Sequence, residues 1–280
     1  MPSPLAAPFL ASLVAALLYA VGSRRHLRVA SPARRRALRW RMVAFWTALA
    51  ALVAALDSAI DDQAAKLFWV HMAQHVLLIM VAAPLLVLAA PWTPIWRGLP
   101  LGVRRDLAAT VVRRRRLLAA IGAVAAPLPV WIMFNLDLCM WHVPALYGVT
   151  LRSEPVHDLE HLSFLILAVL FWAQVIESPP LRPRMEQPQR VAYVLGGAAV
   201  CWLLALVLTF APSALYAGYG ALASRPGGLS ALGDQQVAAG VMLGPGSIPY
   251  GVFVFMALYR WLGSQPEAAS RGRGVRAHRS

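Results

Sequence analysis

The chain is poor in cysteine. Cys139 and Cys201 are the two cysteines among its 280 residues, and they form no Cys-x-x-Cys pair. A redox dithiol or a cysteine metal clamp requires closely spaced thiols, so the sequence argues against both kinds of site. Any metal site in this chain has to be built mainly from other ligands.

Familiar catalytic motifs are also absent. The sequence has no Gly-x-x-x-x-Gly-Lys phosphate loop, no Gly-x-Ser-x-Gly elbow and no His-Glu-x-x-His metalloprotease helix. The segment His71-Met-Ala-Gln-His75 keeps the spacing of the last motif, but Gln74 stands where hydrolysis requires a general base. The segment therefore favours metal ligation over hydrolysis, and we predict that the protein is not an enzyme.

Apolar residues dominate what is present. Hydrophobic residues make up 59% of the chain, and the mean hydropathy is +0.60, which is typical of an integral membrane protein. Seven apolar runs have the length of about 20 residues that a membrane helix needs. The predicted spans are Leu5–Val21, Met42–Ala59, Phe68–Ala89, Leu117–Leu138, His157–Ile176, Val191–Ala211 and Gln236–Trp261. We predict an all-α, polytopic membrane helical bundle of seven transmembrane helices.

The basic residues indicate how this bundle is oriented. The chain has 26 basic and 12 acidic residues, for a formal net charge of +14. All the basic residues except Lys66, Arg152 and Arg225 fall on one side of the predicted spans. Cytoplasmic loops carry such an excess, so we predict an external N-terminus and a cytoplasmic C-terminus. This distribution explains the charge without nucleic acid, which we do not expect as a partner.

The ends of the chain and of its helices carry further signals. Residues 1–262 are predicted to form a single transmembrane domain and residues 263–280 a basic, disordered cytoplasmic tail. The first run is followed, not preceded, by basic residues, which is the reverse of a cleavable signal peptide. We also expect Pro84 to kink the third span. Asp234 is predicted to cap the last helix.

Five of the seven histidines lie at the predicted external ends of the helices. His71 and His75 open the third span, His157 and His161 open the fifth, and His142 follows the fourth. Each pair has the i, i+4 spacing that places two side chains on one helix face. A single histidine near the membrane surface is usually an ordinary amphipathic residue. Several on one side of a bundle instead favour a functional site, although the spacing leaves open whether the two pairs face each other.

Other side chains near the histidines are candidate auxiliary groups. Glu154 and Asp158 share a helical arc with the second pair, so they are candidates to orient an imidazole from outside the ligand set. Sulfur ligands for a soft ion are available from Met140, Cys139 and Met242.

Imidazole suits copper, zinc, iron and nickel, whereas a structural zinc site would be expected to use thiolates. A ligating imidazole must be neutral. We therefore expect metal affinity to fall as the pH drops through the ordinary histidine pKa of about 6.5.

A series of short motifs extends from about Phe68 to Met242. The motifs are His71-Met-Ala-Gln-His75 with Ala83-Pro84-Leu-Leu, Trp141-His142-x-Pro144-x-x-Tyr147, His157-Asp-Leu-Glu-His161-x-x-Phe164 with Phe171-Trp172, Leu215-Tyr216-x-x-Tyr219, and Asp234-Gln-Gln with Met242. In this order they resemble the CtaG-type (caa-type) cytochrome c oxidase assembly factors of bacteria. Leu243 departs from the aromatic residue common in that family.

The resemblance implies a multi-pass protein of the bacterial cytoplasmic (inner) membrane that helps to mature a haem–copper oxidase. It implies oxidase subunits and membrane lipids as partners, and copper as the ion that the protein binds and delivers. The five histidines would be the copper ligands: His71, His75, His142, His157 and His161. The oxidation state of the copper and the oxidase centre that it serves stay open.

Two other classes of function use similar residues. A haem-binding membrane protein also pairs histidines, but its axial ligands approach from opposite sides and lie deeper in the bundle. A copper or proton transporter requires polar residues through the full depth of the membrane. The inner halves of these spans are almost wholly apolar.

Overall fold

The computed structural model describes residues 6–28, 30–56, 58–220 and 226–277. Leu5, where the first predicted span begins, and Arg225 lie outside these residues. The described part is helical and contains no β-strand, which confirms the predicted all-α class. The helices are α1 Ala6–Arg28, α2 Pro32–Ala55, α3 Ser58–Ala64, α4 Phe68–Val76, α5 Ala83–Ala89, α6 Trp92–Gly98, α7 Leu101–Arg113, α8 Arg115–Val124, α9 Pro127–Trp141, α10 Pro144–Thr150, α11 Glu154–Ala173, α12 Gln187–Phe210, α13 Ala217–Gly220, α14 Ala231–Leu243 and α15 Ile248–Ala277.

Five helical segments of the described part are long and apolar enough to cross a membrane. They are Pro32–Ala55, Phe68–Ala89, Glu154–Ala173, Gln187–Phe210 and Ala231–Gly263. Helix α1 is not among them. The count of seven spans, the orientation of the termini and the boundary at residue 262 stay predictions.

The predicted fourth span is broken in two. Residues Arg116–Val124 and Pro127–Trp141 together pass the same test of length and apolarity, but they meet at an angle of 59°. Proline pushes the residue before it out of the α conformation, and Ala126 is extended, with φ −75° and ψ 157°. Pro127 therefore ends the first piece and begins the second.

The third span contains a π-helical segment, Leu77–Ala82, between α4 and α5. Pro84 has no backbone N–H, so an uninterrupted α-helix would lose a hydrogen bond there. The wider turn redistributes the bonds: the Ala83 N–H donates to the Leu78 carbonyl, and the Trp172 indole donates to the Ile79 carbonyl at 2.9 Å. Helix α11 is thereby fixed against the span that carries the first histidine pair.

Helix α1 approaches the α6 backbone closely because two glycines lie at the contact. A Cβ added at Gly22 would overlap the Pro94 carbonyl, and one added at Gly98 would overlap the Leu18 carbonyl. Beside this contact, Tyr19 stacks on Phe45 of α2 with ring centroids 3.7 Å apart. The close packing of α1 on α6 thus requires glycine, which has no side chain, at Gly22 and Gly98.

We predict that Gly22→Ala lowers the thermal unfolding midpoint of the detergent-purified protein, because overpacking a tight contact costs about 1–3 kcal/mol. Gly102→Ala is the matched control, since a Cβ at Gly102 meets nothing within 4 Å. The control should leave the midpoint unchanged or raise it, because alanine is the better helix former. Equal midpoints for the two variants would contradict the close α1–α6 packing.

Candidate metal centre

The two histidine pairs face each other across the contact between α4 and α11. The ring centroids of His71 and His157 are 5.1 Å apart, and those of His75 and His161 are 5.2 Å apart. His71, His75 and His161 are buried, whereas His157 is partly exposed. The two predicted histidine pairs thus form one cluster at one end of the bundle.

The two imidazoles of the first pair contact each other through their Nε2 atoms. Nε2 of His71 lies 2.9 Å from Nε2 of His75. One of these nitrogens donates and the other accepts, so at least one imidazole presents a lone pair to the cluster. A metal ion in place of the shared proton would use both nitrogens as ligands.

Glu160 lies beside the first histidine pair. Its carboxylate oxygens are 3.6 Å from Nε2 of His71 and 3.7 Å from Nε2 of His75. The residue is 0% exposed, and within the described residues neither oxygen has a hydrogen-bond partner. A buried carboxylate in that position is costly unless a cation or a proton compensates it.

The ligand atoms converge in two overlapping groups. Nitrogen atoms of His71, His157 and His161 form one group, and His71, His75 and Glu160 form the other. Within each group all ligand atoms lie within 4.8 Å of one another. Since His71 belongs to both groups, the five residues that could donate ligand atoms form one connected cluster.

Glu160 was missing from the sequence-based site. It follows His157 by three residues, and i, i+3 spacing also places two side chains on one helix face. The predicted arc ran in the other direction around α11, toward Glu154 and Asp158. The spacing from His157 was therefore the signal that could have identified Glu160.

His142 lies beside the cluster, behind His75. Its Nδ1 donates to the Leu138 carbonyl at 2.8 Å, and its buried Nε2 has no hydrogen-bond partner among the described residues. Burial lowers the pKa of His142 to about 4, so its imidazole stays neutral well below the pH of 6.5 expected for an ordinary histidine. His75, His142 and Met242 share a cavity of about 30 Å³.

The other predicted auxiliary residues are placed differently. Met242 is 5% exposed and belongs to the cavity behind His75. The remaining four are exposed side chains outside both groups of converging ligand atoms: Glu154, Asp158, Cys139 and Met140.

An aromatic layer covers the cluster. Phe68, Tyr147 and Tyr216 pack with ring centroids 4.5–5.5 Å apart, and Tyr147 also packs on His71 at 5.2 Å. The Tyr219 hydroxyl donates to the Ala64 carbonyl, so it accepts from the Tyr147 hydroxyl at 3.0 Å. Burial raises the pKa of Tyr147, which keeps this phenol protonated. The tyrosine motifs of the sequence thus converge on the histidines.

Asp234 caps α4, not its own helix. Its carboxylate accepts hydrogen bonds from the backbone N–H of Phe68 at 2.8 Å and of Trp69 at 3.0 Å. The prediction that Asp234 caps the last helix was wrong, since Ser230 occupies that position and accepts from the Gly233 N–H. Asp234 lies four residues after Ser230, so its carboxylate projects from the side of α14 and reaches α4 instead.

Gln74 points away from the histidines. Its side-chain nitrogen donates to the Ala55 carbonyl at 2.9 Å and to Asp61 Oδ1 at 2.6 Å. It thereby ties α4 to α2 and α3.

These features define the class of protein: an all-helical membrane protein with a buried histidine–glutamate cluster at one end of its bundle. The family model described as cytochrome c oxidase caa3 assembly factor (Caa3_CtaG) matches residues 17–264. The match covers most of the chain, so the protein belongs to this family. The resemblance inferred from the motifs is confirmed.

Two curated relatives are uncharacterized proteins of Mycobacterium bovis and Mycobacterium tuberculosis. Each is 25% identical to this chain over 271 residues, which is 93% of the chain. The chain spans 39% of the length of each of these relatives. No solved structure gives a significant match.

We predict that Asp234→Ala lowers the thermal unfolding midpoint, because loss of a helix cap costs about 1–2 kcal/mol. Asp62→Ala is the control, since Asp62 is an exposed carboxylate on α3. The control should unfold at the wild-type temperature. If both variants unfold at the wild-type temperature, the Asp234 carboxylate does not hold the start of α4.

Proposed function

We propose that the protein binds copper at the histidine–glutamate cluster and delivers it to subunits of a haem–copper oxidase. The family supplies the setting, which is the assembly of a caa3-type cytochrome c oxidase. The observation that carries the proposal is the convergence of four imidazoles and one carboxylate within the two overlapping groups of ligand atoms. Binding and delivery, rather than catalysis, are the role that we assign to this site.

The donor set fits copper by its chemistry. Nitrogen and oxygen sites bind Cu²⁺ more tightly than the other divalent ions of the first transition row. The carboxylate of Glu160 adds a hard, negatively charged ligand among the neutral imidazoles. We therefore propose the divalent ion as the form held at this cluster.

The position of the cluster fits a transfer role. We place it at the extracytoplasmic side of a seven-helix bundle with an external N-terminus, as the positive-inside rule predicts. His157 is the partly exposed ligand of the cluster, so we propose that the ion enters and leaves on its side. His142 serves as an additional ligand from behind His75 during exchange.

The packing of the cluster argues against the haem alternative. A haem requires axial ligands on opposite faces of a planar macrocycle. The four imidazoles lie with adjacent ring centroids 4.2–5.8 Å apart, and the neighbouring cavity holds about 30 Å³. A single ion fits this arrangement, whereas a porphyrin would require the helices to separate.

We expect about one copper per chain after copper loading and removal of free metal, because the cluster forms one site. The double variant His71→Ala, His161→Ala should lose this copper, since it removes a ligand from each helix. Glu160→Gln keeps the side-chain volume and should weaken retention. Elemental analysis of the detergent-purified protein measures all three.

Asp106→Asn is the matched control for Glu160→Gln, since Asp106 is an exposed carboxylate on α7. It should bind copper like the wild type. Histidine-independent copper binding would rule out the cluster as the copper site. If the double variant lost copper yet still supported normal copper content of the oxidase in cells that lack the wild-type protein, delivery would be refuted while binding stood.

A further inference from the structure

A second polar cavity lies at the other end of the Phe68–Ala89 span. It has a volume of about 80 Å³ and is formed where α1, the start of α2 and the α5–α6 connection meet. Ala89 lines it and lies 18 positions after His71, which corresponds to about 27 Å along a helix axis. This cavity is therefore remote from the histidine–glutamate cluster.

Three arginines from two helices line this cavity. They are Arg34 and Arg41 of α2 and Arg97 of α6. Among the residues that the structure describes, no carboxylate lies within 4.0 Å of any of them. Their positive charges thus converge on one space without an acidic side chain to neutralise them.

A buried imidazole also lines the cavity. His26 is 7% exposed, and its Nδ1 has no hydrogen-bond partner within the described part of the chain. Burial, followed by the charges of Arg97, Arg34 and Arg41, lowers the pKa of His26. A buried polar nitrogen without a partner is unfavourable, so a ligand in the cavity would satisfy it.

Buried side chains form the rest of the cavity wall. Leu38 and Ala89 are apolar, whereas Tyr19 and Ser23 carry hydroxyl groups, and all four are at least nine-tenths buried. The cavity thus combines basic groups with a buried, partly apolar wall. Its volume of about 80 Å³ is well above the ~10–15 Å³ that a single water requires by the same measure, which leaves room for one small tetrahedral oxyanion.

We propose that this basic cavity binds a phosphate group through Arg34, Arg41, Arg97 and His26. Guanidinium groups form strong, charge-assisted hydrogen bonds with phosphate oxygens. The cavity lies at the predicted cytoplasmic end of the Phe68–Ala89 span. Anionic phospholipids are concentrated in the cytoplasmic leaflet of the membrane. The phosphate is that of an anionic phospholipid headgroup or of free inorganic phosphate. The site is independent of the copper proposal.

The first measurement is phosphatidylglycerol retention by the full-length, detergent-purified protein, read by native mass spectrometry after delipidation. The cavity variant is Arg34→Gln, Arg41→Gln, Arg97→Gln. The control is Arg113→Gln, Arg114→Gln, Arg116→Gln, which removes equal charge from an exposed segment. The single variant Arg34→Gln changes an exposed side chain, so it tests the cavity without threatening the fold.

The second measurement is the shift of the thermal unfolding midpoint in inorganic phosphate relative to chloride at equal ionic strength. Retained phosphatidylglycerol that the cavity variant loses and the control keeps supports a lipid headgroup. A phosphate-dependent shift that needs the cavity arginines, without retained lipid, supports free phosphate. In either case Arg34→Gln should weaken binding about tenfold. Equal lipid retention and equal shifts in the cavity and control variants would overturn the proposal.

Discussion

A carboxylate buried in an apolar helix bundle has to be compensated, and Glu160 is the group on which the site depends. It is 0% exposed and lies within 3.7 Å of the Nε2 atoms of His71 and His75. Neighbouring neutral imidazoles offset only part of the free-energy cost of removing a carboxylate from water. A bound cation would neutralise the carboxylate and would be ligated by the imidazole lone pairs. The buried charge of Glu160 thus favours the cation binding that we propose as the function of the cluster.

The surrounding structure holds this group and its neighbours in place. Asp234 fixes the start of α4 from a neighbouring helix, and the π-helical segment before Pro84 lets Trp172 bond to the carbonyl of Ile79. The layer of Phe68 and the tyrosines packs against His71 through Tyr147. These contacts come from segments far apart in sequence, which explains why the family motifs are spread along the chain and meet in space.

The sequence predicted much of the fold and part of the site. The predicted apolar runs overlap all five candidate spans, and i, i+4 spacing identified the histidine pairs. The break at Pro127 was missed because two short apolar helices and one long one give the same hydropathy. The roles of Glu160 and Asp234 depended on which helices are neighbours, and a residue's spacing along its own helix does not contain that information.

We infer that the histidines and Glu160 together ligate copper. The decisive measurement is X-ray absorption spectroscopy at the copper edge, on the copper-loaded protein and on Glu160→Gln. We expect a shell of nitrogen and oxygen atoms with the scattering pattern of imidazole, and a changed oxygen contribution in the variant. A shell dominated by sulfur, or one without imidazole scattering, would contradict it.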